Sequence, residues 1–427
     1  MAGKIREINQ DEWQEAVLGR DKVIVDFYST ECPPCEALAA KYTALSELYG
    51  DDIAFIKIFR QGNRALAEEL EVSSSPTVLF YEKGELLPQR FSGGIKRSEL
   101  ADQLDLMAGR ERAGAIRKNM KPVESRYDVA ILGGGPAGLT AGIYLGQAHI
   151  STVVIDTALT GGYVSTTHQV SNYPGFVDPQ QGFMLAHYMS EQAKGAGVDF
   201  RAAVDVSDID LDRKTLVVDG VETIRAENII IATGSSPRPL GIPGETEYRG
   251  NGISYCATCD AKYFEDREVI VIGGGNSAIE ESLFIARFAG KITIVHQFAE
   301  LQANKQAQKE VFANDKIEIL FEHEPREFKK YGNMDMGVSV ENLKTGELRE
   351  LKSDGIFVFV GFQPNLEGFP DTLEKDEWGY LLTDENMETA IPGVYAAGDI
   401  RTKAYRQITT AVSDGTIAAI TLSKKLS

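Results

Sequence analysis

The chain has 427 residues, enough for two or three domains at roughly 150 residues each, and its 43% apolar and 25% charged residues allow a large core. Its 44 basic against 63 acidic side chains leave a net charge of −19, which argues against nucleic acid and anionic membranes as partners because an acidic surface repels both. No run approaches the roughly eighteen apolar residues of a membrane span, and Met1-Ala2-Gly3-Lys4-Ile5-Arg6-Glu7 lacks the apolar stretch of a secretory signal, so the expected location is cytoplasmic.

All four cysteines fall in two Cys-x-x-Cys motifs, Cys32/Cys35 and Cys256/Cys259. A structural disulfide framework would scatter them. Zinc pairs usually lie roughly 12–20 residues apart, far closer than these two motifs, so redox chemistry is the reading and no metal site is expected.

In chain order, Val23 to Tyr28 is an apolar, β-branched run that reads as a buried strand. Cys32-Pro33-Pro34-Cys35 follows, then a helix-period segment through Leu38, Tyr42, Leu45 and Leu48. Cys32 thus stands at a helix N-terminus, where peptide dipoles and free N–H groups stabilise a thiolate. A strand (53–58), a helix (64–70), Ser75-Pro76-Thr77, two more strands and a closing helix to Met107 complete the segment. This order resembles thioredoxin. The resemblance implies that Asp26 is the buried acid serving the second cysteine, and that Pro76 is a cis-proline lying against the dithiol. The motif departs from the family's usual Trp-Cys-Gly-Pro-Cys: it reads Glu31-Cys32-Pro33-Pro34-Cys35, with a stiffer turn and no tryptophan. Residues 109–126, rich in Arg, Lys, Gly and Glu, read as a linker whose first half is compatible with a helix. A mobile tether and a rigid spacer both fit that composition; a tether would hold the first dithiol at high effective concentration near the second.

Tyr127 to Leu132 is a strand running into Gly133-Gly134-Gly135-Pro136-Ala137-Gly138 and then a helix. This is G-x-G-x-x-G in its strand–turn–helix setting, where the glycines let a pyrophosphate approach the helix N-terminus. Asp156 ends the next strand, close to the ~20-residue spacing at which an acid accepts from a ribose hydroxyl. Further on, Ser254-Tyr255-Cys256-Ala257-Thr258-Cys259-Asp260 has the parts of a disulfide-exchange site: one thiolate attacks, the other resolves, and Asp260 moves a proton. Glu268 to Ile272 then runs into Gly273-Gly274-Gly275-Asn276-Ser277-Ala278, a second dinucleotide fingerprint with alanine in last place.

Gly161-Gly162-Tyr163-Val164-Ser165-Thr166, with Asn172-Tyr173-Pro174-Gly175, resembles the flavin-contacting loop of bacterial-type thioredoxin reductases, although a glutamine usual there is Tyr163 here. Ala397-Gly398-Asp399-Ile400 and Arg406-Gln407-Ile408-Thr409 match the segments that complete that family's FAD site. The resemblance implies FAD contacts at Gly162, Thr166, Asn172, Asp399, Arg406, Gln407 and Ile408. It places Cys259 nearest the flavin and makes Cys256 the cysteine that attacks the external disulfide. NADPH-dependent members carry His-Arg-Arg after the second nucleotide turn; this chain has His296-Gln297-Phe298-Ala299-Glu300-Leu301-Gln302, with no cation for a 2′-phosphate. The pieces resemble the NADH-using flavoprotein of alkyl hydroperoxide reductase. NADH is therefore favoured over NADPH, with His296 facing the nucleotide and Gln297 bonding a free 2′-OH.

Together the resemblances imply an α/β chain: a thioredoxin fold (1–108), a linker (109–126), and two Rossmann-like three-layer domains. The FAD domain is split (127–237 and 362–427) by an inserted nicotinamide domain carrying the second dithiol (238–361). The implied function is a flavin-dependent thioredoxin-disulfide reductase, homodimeric as its family is. Electrons would pass from NAD(P)H through FAD to Cys256/Cys259, then to Cys32/Cys35 and on to a partner disulfide in a thioredoxin, a peroxiredoxin or another thiol-dependent enzyme. A ferredoxin-driven flavin reductase and the reductase half of a peroxide-detoxifying pair are the alternatives.

Overall fold

A computed structural model describes residues 5–426 apart from 168, 169, 171, 333 and 334, and only the backbone of Asn119, Thr258 and Cys259. The N-terminal segment runs β1 (Ile5–Ile8), β2 (Lys22–Tyr28), α1 (Pro33–Tyr49), β3 (Ala54–Phe59), α2 (Arg64–Glu69), β4 (Thr77–Glu82), β5 (Glu85–Ser92) and α3 (Arg97–Ala108). Its sheet has the order β1-β3-β2-β4-β5, parallel across β1, β3 and β2 and antiparallel beyond. The apolar run of β2 is buried on both faces because helices cover both sides, as a central strand requires.

Residues 109–126 carry more structure than a spacer. Helix α4 (Arg110–Asn119) packs on α3 and sends Ile116, 5% exposed, into the thioredoxin-like core. Arg117 pairs with Asp105 and Arg112 with Asp52, at 2.7 Å. Residues 123–126 open β6 (Val123–Leu132), where they pair with 222–225. Only Met120, Lys121 and Pro122 lie between α4 and β6. Ala113 and Ile116, three apart, form the apolar stripe that holds α4 down; a run this polar otherwise hides it.

After β6 come α5 (Pro136–Gln147), β7 (Thr152–Asp156), α6 (Gly182–Gly195), β8 (Asp199–Ala202), β9 (Val206–Asp210), β10 (Thr215–Val218), β11 (Glu222–Ile231) and β12 (Ser235–Pro237). The sheet order is β8-β7-β6-β11-β10-β9. The chain then leaves through α7 (Glu245–Tyr248), β13 (Ile253–Ser254), α8 (Ala257–Asp260), β14 (Glu268–Ile272), α9 (Asn276–Ile285), β15 (Lys291–His296), α10 (Lys305–Phe312), β16 (Ile317–Phe321), β17 (His323–Gly332), β18 (Asp335–Asn342), β19 (Leu348–Ser353) and β20 (Gly355–Val358). Strands β13-β20-β14-β15-β16 form a parallel sheet, and β17-β18-β19 an antiparallel one. It returns through β21 (Phe362–Pro364), which pairs with β12. β22 (Val394–Ala396) then joins β11 in parallel, and α11 (Ile408–Leu426) closes the chain against α5. The two-strand ribbon β12–β21 is therefore where the chain both leaves and re-enters the larger sheet. Among the described residues no helix is long and apolar enough to cross a membrane.

Candidate active site

Each nucleotide turn is built where a parallel strand meets a helix. Gly133 has φ +109°, and a Cβ there would lie 2.3 Å from the Ala232 carbonyl oxygen, so the turn tolerates only glycine. Gly138 faces back onto the same turn, its absent Cβ 1.9 Å from the Gly133 oxygen. Gly135 caps α5 and Pro136 takes its first position, where no amide hydrogen is needed. Ala137 is buried against the closing helix. Asp156 ends β7 and ties the turn from the side: Gly134 N–H donates to Oδ2 at 2.7 Å, and Ala158 N–H to Oδ1 at 2.8 Å. Burial raises its pKa, with those two backbone bonds opposing the shift.

The remaining expected flavin contacts come from segments distant in sequence, and Gly162 reaches this turn directly. Gly162 (φ +58°) passes so close that a Cβ would lie 3.0 Å from Gly135 Cα. Thr166 Oγ1 donates to the Tyr163 carbonyl at 2.8 Å, closing the short helical turn 162–166. Asn172 Nδ2 donates to Gln407 Oε1 at 3.2 Å and so joins the loop to the start of α11 at Ile408. Asp399 Oδ1 is buried without a hydrogen-bond partner, with Lys403 Nζ 3.5 Å away. Burial raises its pKa against the pull of Lys403 and Arg406. Arg406 lies with its guanidinium 3.8 Å from the Tyr380 ring centroid, and its Nε is likewise buried and unpartnered.

The central dithiol lies against the same loop. Cys256 is disulfide-bonded, and its Sγ is 3.8 Å from the Thr166 carbonyl oxygen. The side chain of Cys259 lies outside the described residues; its backbone belongs to α8. Ser254 Oγ donates to Asp260 Oδ2 at 2.6 Å and accepts from Cys256 N–H at 3.1 Å, which fixes the carboxylate beside the motif. Tyr163 reaches across: its hydroxyl donates to the Tyr255 carbonyl at 3.3 Å and its ring meets Phe362 edge-on, 5.6 Å between centroids. Tyr163 thus touches both the dithiol segment and the re-entry strand.

In the N-terminal domain Cys32 caps α1, its sulfur accepting the Cys35 N–H at 3.3 Å, and the two cysteines form a disulfide. Cys32 Sγ lies 3.5 Å from the Ser75 carbonyl oxygen, and the Ser75–Pro76 peptide is cis. Asp26 is 1% exposed in β2; burial pushes its pKa up to about 6, opposed by Lys57, whose Nζ is 3.7 Å away.

At the second turn, Gly273 (φ +129°) has the Phe359 oxygen 2.2 Å from where its Cβ would be. Gly275 caps α9, Asn276 Oδ1 accepts from Asn304 N–H at 2.7 Å, Ser277 is exposed and Ala278 is fully buried. His296 differs from the expected nucleotide-facing position. Its ring is 4% exposed beneath Gly274, whose Cβ would come within 2.4 Å of it, and its Nε2 is 3.0 Å from the Glu300 oxygen. Burial lowers its pKa, so it supports the turn as a neutral ring. Gln297, next in the chain, is exposed at the end of β15.

Residues 127–415 match the pyridine nucleotide-disulphide oxidoreductase family, and residues 4–106 match thioredoxin. A thioredoxin reductase of Peptoclostridium acidaminophilum is 44% identical over 71% of this chain and 98% of its own length. One from Bacillus subtilis is 40% identical over 69% of this chain and 93% of its own. The crystal structure of Lactococcus lactis thioredoxin reductase, 40% identical, aligns with TM-score 0.62 over 70% of this chain and 98% of its own. The chain belongs to the pyridine nucleotide-disulphide oxidoreductases, as a thioredoxin reductase with a fused thioredoxin-like domain.

A thioredoxin reductase of this family implies FAD and a nicotinamide cofactor. The residues fit FAD: a glycine cradle that a Cβ would fill at Gly133 and Gly138, and two buried polar atoms, Asp399 Oδ1 and Arg406 Nε, that have no hydrogen-bond partner among the described residues. Several supporting residues escape a sequence reading. Asp414, 6% exposed, accepts from Gly398 N–H at 3.0 Å and pairs with Lys403 at 2.9 Å and Arg401 at 3.5 Å, holding the segment that presents Asp399. Ser254 and Tyr163 position the dithiol. Hydrophobic pattern marks none of these; the one local cue is an acid inside the apolar stripe of α11.

Proposed function

We propose that this reductase takes electrons from NADH, through FAD, into Cys256/Cys259, passes them to its own Cys32/Cys35 and delivers them to a partner disulfide. The observation that carries the reading is the 3.8 Å approach of Cys256 Sγ to the flavin-loop carbonyl of Thr166, in a chain that also holds a helix-capping Cys32. FAD held by Gly133, Gly135, Pro136, Ala137, Gly138, Asp156, Asp399 and Arg406 supplies two-electron transfer between a nicotinamide and a disulfide.

The protein's part in the later steps is thiol exchange. In the reduced central pair, the Cys256 thiolate attacks Cys32 Sγ. The Cys256–Cys32 bond forms, the Cys32–Cys35 bond breaks, and Cys35 leaves as a thiolate. The Cys259 thiolate then displaces Cys32, restoring the central disulfide, and two electrons have moved. Asp260 and Asp26 exchange the protons. Cys32 repeats the attack on the partner disulfide, with Cys35 resolving. Residues 238–361 act as the nicotinamide domain hinged at the β12–β21 ribbon.

NADH is the donor because the stretch from His296 to Gln302 offers no cation to a dianionic 2′-phosphate, while exposed Gln297 can bond a ribose hydroxyl. Anaerobic titration of the flavin with NADH and NADPH separately tests this. NADH should bleach it fully only at about three per flavin, since the two disulfides each take up one equivalent first, with NADPH acting far more slowly; equal rates would remove Gln297 from the argument. A Cys32→Ser/Cys35→Ser variant should still reduce a small aromatic disulfide through Cys256/Cys259 yet lose partner-disulfide reduction. If partner reduction survived, the N-terminal dithiol would not be on the path.

A further inference from the structure

The N-terminal domain is docked on the flavin domain by polar contacts that the chemistry above does not use. Lys41 on α1 is 8% exposed, and its ammonium donates to three carbonyls: Ile95 of its own domain at 3.0 Å, and Ala202 and Ala203 at the end of β8 at 2.9 and 2.6 Å. All three of its protons are therefore used, which is what a buried ammonium requires. Around it, Lys96 Nζ and Ser98 Oγ both reach Asp205, at 2.8 and 2.5 Å, and Glu36 pairs with Lys194 at 2.6 Å. Gly94 packs on Leu159, whose Cγ would be 3.1 Å from an added Cβ.

These contacts border the N-terminal dithiol. Glu36 follows Cys35 directly. Gly93 N–H donates to the Pro76 carbonyl at 3.3 Å, and Pro76 follows the Ser75 whose oxygen touches Cys32. The central dithiol sits elsewhere. Gly182, the first residue of α6, donates its N–H to Thr167 at 3.0 Å, beside the Thr166 that Cys256 approaches. Lys194, which holds Glu36, is in the last turn of the same helix. At 1.5 Å per residue the two anchoring points are about 18 Å apart along α6. Thiol exchange needs the attacking sulfur in contact with the sulfur it attacks.

We propose that this docking is a parked state: a latch centred on Lys41 holds Cys32/Cys35 at one end of α6 while Cys256 lies at the other, and the latch must open before the N-terminal disulfide is reduced. The inference rests on the relay described above. The rim pairs with Asp205 and Lys194 are partly exposed and individually weak. Lys41 is the buried element, so the latch is strong enough to populate the docked state and weak enough to release. Met120–Pro122 is the pivot.

The test uses the full-length flavoenzyme. It is mixed anaerobically with whichever nicotinamide nucleotide bleaches the flavin, quenched with an alkylating reagent at intervals, and each cysteine pair is read by peptide mass. Because the rate of transfer scales with the open fraction, Lys41→Glu, which sets a carboxylate against three carbonyls, should speed reduction of Cys32/Cys35 by about tenfold or more. Lys96→Glu should speed it by about two- to fivefold, the worth of an exposed pair, and Lys96→Glu/Asp205→Lys should return it toward the original rate. Reduction of Cys256/Cys259 should be unchanged in all three. Should Lys41→Glu fail to fold, judged by its Trp13 fluorescence, the charge-swap pair carries the test. An unchanged rate would overturn the proposal, since the latch would then not gate transfer. A slower rate would also overturn it, because the docked pose would then be the productive one. Failure of the relay itself looks different: Cys32/Cys35 would stay oxidised in every variant while Cys256/Cys259 was reduced.

Discussion

Asp26 shows how one residue sets both stability and chemistry. It lies in the central strand of a five-stranded sheet, its Oδ1 unpartnered, and burial outweighs Lys57 in lifting its pKa from 3.8 to about 6. The native chain therefore keeps a proton that the unfolded chain releases as pH rises from about 3.8 to 6. Stability falls across that window and stays lower above it. Asp26→Asn should stabilise the N-terminal domain by about 3 kcal/mol at neutral pH and above, with the gain fading below about pH 4. Guanidinium unfolding followed by Trp13 fluorescence in a Trp378→Phe background would measure this. An equal gain at acid and neutral pH would show that ionisation is not the cause. The same variant should slow thiol exchange at Cys32/Cys35, since no carboxylate remains to take the proton.

Helices α5 and α11 define the flavin side of the site as a pair. Gly415 lets α11 approach so closely that a Cβ would be 2.2 Å from the Ala137 oxygen, and Gly398 does the same from below, 2.8 Å from Ala137 Cβ. Gly415→Ala would push α11 outward and carry Arg406, Gln407 and Ile408 with it. Overpacking of this kind costs about 1–3 kcal/mol, so flavin affinity should drop by roughly five- to a hundredfold. Flavin absorbance per chain after gel filtration reads the loss; full retention would mean that the helix spacing does not set the site. Asp414 gives a second handle. Its loss removes the carboxylate that Lys403 and Arg401 share and leaves Lys403 with Asp399 alone, and Asp414→Ala should lower the temperature of flavin release by several degrees.

At the scale of the molecule, the charge of −19 bears on how the nucleotide arrives. Around the second turn stand Glu280, which accepts from Asn304 at 2.9 Å, and Glu281, whose pKa is raised by burial and by Glu280. An anionic nucleotide meets a repulsive field there, and salt screens it. Raising ionic strength from about 10 to about 150 mM should increase kcat/KM for NADH by a few-fold and for NADPH by more, opposite to the usual loss of steering. A fall in both would mean that local cations dominate the approach.

Much of this was legible in the chain itself, and for a common reason. Gly133 and Gly273 hold the positive φ that a strand-to-helix turn requires, Gly138 faces Gly133 five residues back, Cys32 caps the helix it precedes, and strand runs such as Val23–Tyr28 carry their burial in their composition. Such local rules need no knowledge of distant partners. Other features depended on what packs against what. His296 turned inward because Gly274 leaves room for its ring and Glu300 supplies an acceptor. Helix α4 joined the first domain through two apolar residues in a polar stretch. Asn172 met Gln407 across 235 positions. Asp399 and Arg406 were left with unpartnered atoms only because the segments around them closed. Docking of Lys41 onto Ala202 and Ala203 uses backbone carbonyls, which every residue possesses and no side-chain pattern announces. The sequence by itself determined the turns, the strands and the two dithiols; tertiary structure alone decided how far apart those dithiols stand, because that distance is set by one domain surface resting on another.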